Sequence, residues 1–468
     1  MKPNIELVGP LVDRGWTPVG RLKTKHSRDI DSSPWSIGCE TTDRDYVDFA
    51  QVGPHLGDLG AKHIRVQAGW AKCDRGPGQP HDWTTLDAIV EGSLAQGVQP
   101  WLQTSYGNPA YPEGGGIGLS QGIPTSDVAL AAWDRWVLAL AERYRDRVST
   151  WEIWNEADLH GPGADSYAVE PEAFAVFHLR TARLLRRQQP DAKIVALALS
   201  GHDGKYAPRF FKTLAELGGT AFVDEISLHY YPPNPDNSFE AFADMKRVMA
   251  RHVPQATLRQ GETGANSECR QELALAMGYL QWSERKQAVW NLRRLLAHHA
   301  HGIPMNLFQL SDMYYEKRDG ARFSGCNPKG LVRVLPDKSV AYRKPAYFAA
   351  QHVFTLLDGR IPLTALEPYP ARVDSRSGIY CWKHAGRPVI LAWWDADKAP
   401  SLWSDFVGNI GFDALPMSDP VLLDFLSGTV FELPVAVKAG GASALQNFPK
   451  FDSPLALVER SYLELLPL

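Results

Sequence analysis

From about Ser36 to about Gly359, short β-type runs alternate with stretches whose apolar residues recur every three or four positions. That alternation is the pattern of parallel βαβ units. Eight runs predict strands: Ser36–Glu40, His63–Trp70, Gln99–Ser105, Val148–Glu156, Lys193–Ser200, Asp224–Tyr231, Thr257–Thr263 and Ile303–Ser311. Helices are predicted between them. Pro171–Gln189, for example, has a proline in its first turn and sets Phe174, Phe177, Leu184 and Leu185 on one side. Eight units of this kind predict an α/β fold, a (β/α)8 TIM barrel over residues 31–359, with a doubly wound open sheet as the second choice.

After about Arg360 the helical period stops. SGIYCWKH, PVILAWWD, PVLLDFL and GTVFELP are separated by Gly, Pro, Asp and Ser, which predicts an accessory C-terminal β-sandwich over 360–468. Residues 1–30 read as an N-terminal extension, and NIELVGPLVDRGW within it offers that sandwich a further strand. The Gly-rich run Tyr106–Ser126 is a predicted loop after the third strand. It lacks the Lys-Ser/Thr ending and helix start of a phosphate loop.

Composition narrows the class. Of 468 residues, 44% are hydrophobic and 22% charged, as in soluble globular proteins. A net charge of -4 gives no electrostatic case for nucleic acid or an anionic membrane surface. No apolar run approaches membrane-spanning length, and the N-terminus shows no apolar signal segment. The five cysteines never fall at CxxC spacing, which suits a reducing compartment; the expected location is cytoplasmic. The 15 Trp, 16 Tyr and 18 Phe are enough both to fill a core and to line a sugar-stacking groove.

In a (β/α)8 barrel, reactive groups gather at the carboxyl ends of the strands. The fourth strand ends in WEIWNE, setting Asn155 and Glu156 at the rim; the seventh ends in RQGET, setting Glu262 at equivalent height. Strict alternation puts Glu152, Trp154 and Glu156 on one face, and Leu258, Gln260 and Glu262 on another. Two carboxyls facing across a barrel mouth are what glycoside hydrolysis requires. One stays protonated to serve the leaving oxygen, and the other stays ionised to attack the anomeric carbon. The competing reading makes each a salt-bridged rim residue. Arg65 shares an inward face with His63 and Gln67, where it has two candidate partners, Glu262 and the deeper Glu152. His229 and Tyr231 share the inward face of the sixth strand with Ser227.

With these residues the chain resembles glycoside hydrolase family 39, the β-xylosidase type, within the retaining barrel glycosidases. WEIWNE (Trp151–Glu156) resembles that family's acid/base segment, and LHYYP (Leu228–Pro232) its strand-six segment. SDMYYE (Ser311–Glu316) resembles its run after strand eight, followed in family order by Gly330–Leu331 and KPAYFA (Lys344–Ala349). The resemblance covers about Ser36 to Leu357. It implies Glu156 as acid/base, Glu262 as nucleophile, and Asn155 bonded to the sugar 2-hydroxyl. It also implies that His229 or Tyr231 bonds the nucleophile or substrate. Phe308 stands where the family carries tryptophan, and Gln67 where histidine is usual, so substrate specificity is expected to depart from the family's.

Glu40 at the end of strand one and Glu316 in the loop after strand eight lie on the face that meets sugar hydroxyls, or else they fix loops. Trp70 and Trp154 are candidates for stacking on sugar or for packing against loops. His298, His299 and His301 precede strand eight and belong to the barrel's bottom, where a solvated helix end is expected. The reading is therefore an exo-acting retaining β-glycosidase. It takes an oligosaccharide or glycoside substrate, with no cofactor and no metal, and a homo-oligomer stays open. An endo-β-glycanase, a catalytically silent carbohydrate-binding barrel and a metal-dependent hydrolase are the rivals.

Overall fold

The structure is a computed structural model that describes residues 11–160, 167–237, 239–269, 276–316, 325–360, 362–366, 371–372, 377–396, 406–412, 417–435 and 447–468. Strand β1 spans Thr17–Leu22. Eight strands then form a closed parallel barrel: β2 (Trp35–Gly38), β3 (His63–Gln67), β4 (Gln99–Thr104), β5 (Thr150–Ile153), β6 (Lys193–Leu199), β7 (Glu225–His229), β8 (Thr257–Thr263) and β9 (Met305–Leu307). Closure comes from β9 pairing with β2, Trp35 opposite Met305 and Ile37 opposite Leu307. The strands are buried on both faces, so their apolar runs are nearly continuous, as in IVALAL of β6.

The helices start where local chemistry predicts. The Ser126 hydroxyl accepts from the Ala129 N–H at the head of Asp127–Arg143, and Ser283 does the same for Lys286 at Glu284–Ala300. Pro171 and Pro345 occupy first-turn positions where no N–H is needed. Phe174, Phe177 and Leu185 of Pro171–Gln188 are buried, as the period predicts.

The C-terminal region forms antiparallel sheets. Strands Ser377–His384, Arg387–Asp395, Leu455–Glu459, Pro420–Asp424 and Thr429–Glu432 belong to one eight-stranded sheet, and Phe406–Phe412 with Phe448–Phe451 to a second. The Trp393 ring lies between them, 5.4 Å from Phe412 and 5.8 Å from Phe448. The N-terminal segment joins this sheet through Thr17–Leu22, paired with Thr429–Glu432. That differs from NIELVGPLVDRGW: its first residues lie outside the described residues, and Leu11–Trp16 is a short turn of helix. The barrel's bottom meets the sheet where Trp382 Nε1 donates to His299 Nδ1 at 2.9 Å. His298 is fully buried against Phe239 and Phe242 and His299 is half-buried, so of the three histidines expected at a solvated helix end His301 alone is exposed. Among the described residues, no helix is long and apolar enough to cross a membrane.

Candidate active site at the barrel mouth

Arg65 is the hub. Projecting from β3 with no exposed surface, it donates from Nε to Glu152 (2.6 Å) and from Nη1 to Glu40 (2.8 Å) and Glu262 (3.0 Å). Its Nη2 donates to Asn155 Oδ1 at 2.8 Å. The two partners weighed from sequence are therefore both engaged, and Glu40 is a third. Burial alone disfavours the guanidinium charge, but Glu152, Glu40 and Glu262 outweigh it and hold Arg65 firmly protonated. One cation is shared by three carboxylates, so they are not equally served. Burial pushes the Glu40 carboxyl up to about 7, with Arg65 pulling down and Glu262 pushing further up. At 1% exposure, Glu40 is Arg65's internal partner rather than a contact for sugar hydroxyls.

Glu262 sits on β8 at a register break. His229 pairs with Glu262 and Leu228 with Gln260, so Gly261 is skipped and the strict alternation expected for β8 stops there. A Cβ on Gly261 would lie 1.8 Å from Ser227 Oγ, so only glycine lets β7 and β8 approach this closely. The displaced backbone turns Glu262 toward Tyr231, whose hydroxyl donates to Oε1 at 2.7 Å, while Oε2 takes Arg65.

Glu156 is re-aimed by a different device. β5 ends at Ile153, and Trp154 (φ 66°) and Glu156 (φ 49°) then take left-handed conformations. Such non-glycine positions cost on the order of 1 kcal/mol or more each and persist where the surroundings dictate them. Here the surroundings are a bulge in β6. Leu197 (φ 75°) and Ala198 (φ 44°) offset the register between Ala196 and Leu199, and the Ala198 carbonyl accepts the Glu156 N–H at 2.9 Å. The turn also corrects the alternation expected for this strand. Glu152 and Asn155 face inward to Arg65, whereas Trp154 packs outward on Trp133, Phe177 and Tyr106.

The two glutamates meet at His229. Its Nδ1 lies 2.9 Å from Glu156 Oε1 and 3.5 Å from Glu262 Oε2. One ligand atom from each of Glu156, His229 and Glu262 lies within 4.8 Å of the others. Burial lowers the His229 pKa to about 4, so the bridging ring is neutral near pH 7. Both carboxylates retain some exposure, 12% and 14% of their side chains, and so open toward solvent. The same trio is a donor set that fits a metal ion, although Glu262 already takes Arg65 and Tyr231.

Residues beyond the sequence reading complete the cluster. Gln103 Nε2 donates to Glu152 (2.9 Å) and Asn155 (3.3 Å), and Asn155 Nδ2 donates to the Tyr106 hydroxyl (2.7 Å). The Asn155 amide is thus fixed in orientation, with one N–H still available. Inward alternation from Trp101 on β4 would have found Gln103; Tyr106 is visible only once the Gly-rich loop is placed. Lys329, 2% exposed, holds its ammonium 5.7 Å from the Tyr231 ring centre. Burial lowers it to about 7, against the pull of Glu262.

Other expected residues fall elsewhere. Trp70 is fully buried, stacked on Tyr111 and edge-on to Trp133, with Nε1 bonded to Asp74; it is core and offers no sugar platform. The strand that was expected to carry it ends at Gln67. Gln67 accepts from Arg44, whose guanidinium lies over the Tyr106 ring. Phe308 lies just past the end of β9, 6% exposed, its N–H bonded to the Thr263 carbonyl. Glu316 is an exposed residue paired with Lys338 and is not part of the Arg65 cluster.

No known protein-family model matches the sequence, and neither does any curated protein. Solved structures do. A family 39 glycoside hydrolase from the gut symbiont Bacteroides cellulosilyticus aligns over 94% of this chain and 83% of its own, at 18% identity and TM-score 0.69. A monomeric β-xylosidase from Caulobacter crescentus aligns over 94% and 97%, at 18% identity and TM-score 0.56. The family 39 enzyme from Xanthomonas axonopodis pv. citri aligns over 93% and 95%, at 17% identity and TM-score 0.53. The chain shares their fold, a (β/α)8 barrel with an accessory β-sandwich.

Proposed function

We propose that this chain is a retaining glycoside hydrolase, with Glu262 as nucleophile and Glu156 as acid/base. The observation that carries the reading is the separation of the pair. A Glu156 oxygen lies within 4.8 Å of a Glu262 oxygen, which suits the ~5–5.5 Å of retaining enzymes and not the ~6.5–9.5 Å that an inverting enzyme leaves for water. Glu262 attacks the anomeric carbon while Glu156 delivers its proton to the departing glycosidic oxygen, leaving a covalent glycosyl-enzyme. Water then gives a proton to Glu156 and attacks the same carbon, releasing Glu262. Arg65 and Tyr231 hold Glu262 in one pose with both its oxygens bonded. Asn155, fixed by Arg65, Gln103 and Tyr106, is poised for the sugar 2-hydroxyl.

The substrate is a β-glycoside cleaved from its non-reducing end by the barrel, residues 31–359, with residues 360–468 as an accessory β-sandwich. Support for a pentoside comes from the β-xylosidases among the structures that share the fold. Phe308 and Gln67 mark where its sugar preference departs from theirs. An endo-acting glycanase and a silent sugar-binding barrel are the alternatives. Nitrophenyl glycosides of several pentoses and hexoses, in both anomers, test the reading. Turnover that falls at least about 10³-fold in Glu156→Gln and Glu262→Gln supports it. A 2-fluoro glycoside should add its sugar mass to Glu262. Turnover abolished by EDTA and restored by a divalent cation would instead assign the Glu156–His229–Glu262 trio to a metal.

A further inference from the structure

We propose that the bottom of the barrel, the end opposite Glu156 and Glu262, holds a second binding site, for a phosphate monoester with a small apolar body. Binding there is independent of any chemistry at the mouth. A cleft of about 650 Å³ opens at this end. Its lining includes His63 at the head of β3, Lys193 at the head of β6, Glu225 at the head of β7, Arg259 of β8, and Lys246 and Met249 of the helix Phe239–His252. That volume falls within the ~300–1,000 Å³ of small-molecule sites.

The first ground is uncompensated charge. Lys193, Lys246 and Arg259 are three cations and Glu225 is the one carboxylate among the lining residues, which leaves a net charge of +2. Burial, reinforced by Arg259 and Lys193, pushes His63 down to about 4, so its ring adds no charge near pH 7. Both Glu225 oxygens are taken, Oε1 by Arg259 and Oε2 by Lys193 and Thr257. The neighbouring Asp224 is claimed by Arg186 and the Ile194 N–H. Lys246 forms no hydrogen bond or ion pair among the described residues. Between low-dielectric walls, such an excess attracts anions more strongly than it would on an open surface.

The second ground is the geometry of Arg259. Its guanidinium lies 4.6 Å from the Trp101 ring centre, and its side chain is 11% exposed. Nε donates to Glu225, while Nη1 and Nη2 have no hydrogen-bond partner among the described residues. A guanidinium held by a ring and a carboxylate, with both outer nitrogens free, is a fork that takes two oxygens of one phosphoryl group. A carboxylate ligand would cancel a single charge. A phosphate monoester carries about −1.5 to −2 at pH 7 and matches the surplus. Free phosphate is far smaller than the cleft, whose remaining wall is apolar. Met249, Pro254, Leu258 and Pro304 offer that wall to a ring or short chain on the ester.

Calorimetry on the full chain at fixed ionic strength, with phenyl phosphate, inorganic phosphate and phenol, tests the site. Phenyl phosphate should bind with a Kd of about 1 mM or tighter, inorganic phosphate about tenfold more weakly, and phenol not measurably. Lys246→Glu reverses a charge at an exposed position, and Arg259→Lys keeps a cation on Glu225 while removing the fork. Each should weaken phenyl phosphate at least about tenfold. Ligand-free melting temperatures, unchanged in Lys246→Glu, separate lost binding from lost folding. Glu262→Gln should bind the ester as wild type does. No saturable binding to wild type, or affinity unchanged in either bottom variant, overturns the inference. So does inorganic phosphate that binds as tightly as the ester, or binding lost in Glu262→Gln, which assigns the ligand to the mouth.

Discussion

At each end of the barrel an arginine meets buried carboxylates, and the two ends balance charge in opposite ways. At the bottom, where the strands begin, Glu225 of β7 receives both Arg259 and Lys193, with Thr257 Oγ1 at 3.1 Å. Burial opposes ionisation, but two cations on one carboxylate win, and Glu225 is held down at about 2. At the mouth the ratio is reversed: Arg65 alone serves Glu40, Glu152 and Glu262, and burial lifts Glu40 to about 7. The bottom network has cations in excess and keeps its one carboxylate ionised. The mouth network leaves carboxylates short of cations beside a neutral His229, which is the environment acid–base chemistry needs.

Removing each arginine is the strongest way to break this contrast. Arg65→Met strands buried carboxylates and should cost about 3–5 kcal/mol in urea unfolding, with turnover lost. Arg259→Met leaves Lys193 on Glu225, so the cost should be about 1.5–3 kcal/mol with kcat retained. Equal costs, or lost turnover in Arg259→Met, would dissolve the distinction.

Tyr231→Phe probes the mouth without emptying it. Losing the donor to Glu262 Oε1 should lower kcat about 10–100-fold while the melting temperature changes little. A large drop in melting temperature at unchanged kcat would make Tyr231 a structural plug.

The pH dependence of stability should run oppositely at the two ends. Glu40 holds its proton in the folded state up to about 7, against an ordinary 4.5, so ionising it costs stability as pH rises through that window. Thermal melts of Glu40→Gln should therefore gain on wild type between pH 4.5 and 7, by on the order of 1–3 kcal/mol. Glu225 is depressed, so its contribution is present above 4.5 and fades as pH falls toward 2. The deficit of Glu225→Gln should accordingly be largest above pH 4.5 and shrink below it. Parallel slopes for the two variants would refute the charge-balance account. The smallest effect expected is that of Gln67→Ala, which takes one acceptor from Arg44: about 1 kcal/mol in unfolding, with KM altered more than kcat.

Much of this was legible in the chain. Runs of buried-strand residues at regular spacing placed all eight barrel strands, because parallel strands covered on both faces must be apolar almost throughout. Strand ends then located Glu156 and Glu262, since parallel strands in a barrel all finish on one rim. The misreadings occurred where regular geometry stops. Trp154 was assigned inward by alternation, but a left-handed turn after Ile153 sends it into the helix layer. Trp70 looked like a rim aromatic, yet its strand ends three residues earlier and the ring is core.

Sequence alone therefore determined the architecture, the rim and the two facing carboxylates, because period and strand polarity are local properties of a chain. Only the tertiary structure decided how those carboxylates are held. Arg65 reaches four groups from three separate strand segments, the β6 bulge turns Glu156, and Gly261 allows β7 and β8 to close on Glu262. Lys329 is the extreme case. In the sequence it is one lysine among 49 basic residues; burial beside Tyr231, on a loop clamped by Gln287 and Asp312, is what lowers its pKa to about 7. Contacts between segments distant in the chain leave no periodic trace, so desolvation and charge sharing become readable only once the chain is folded.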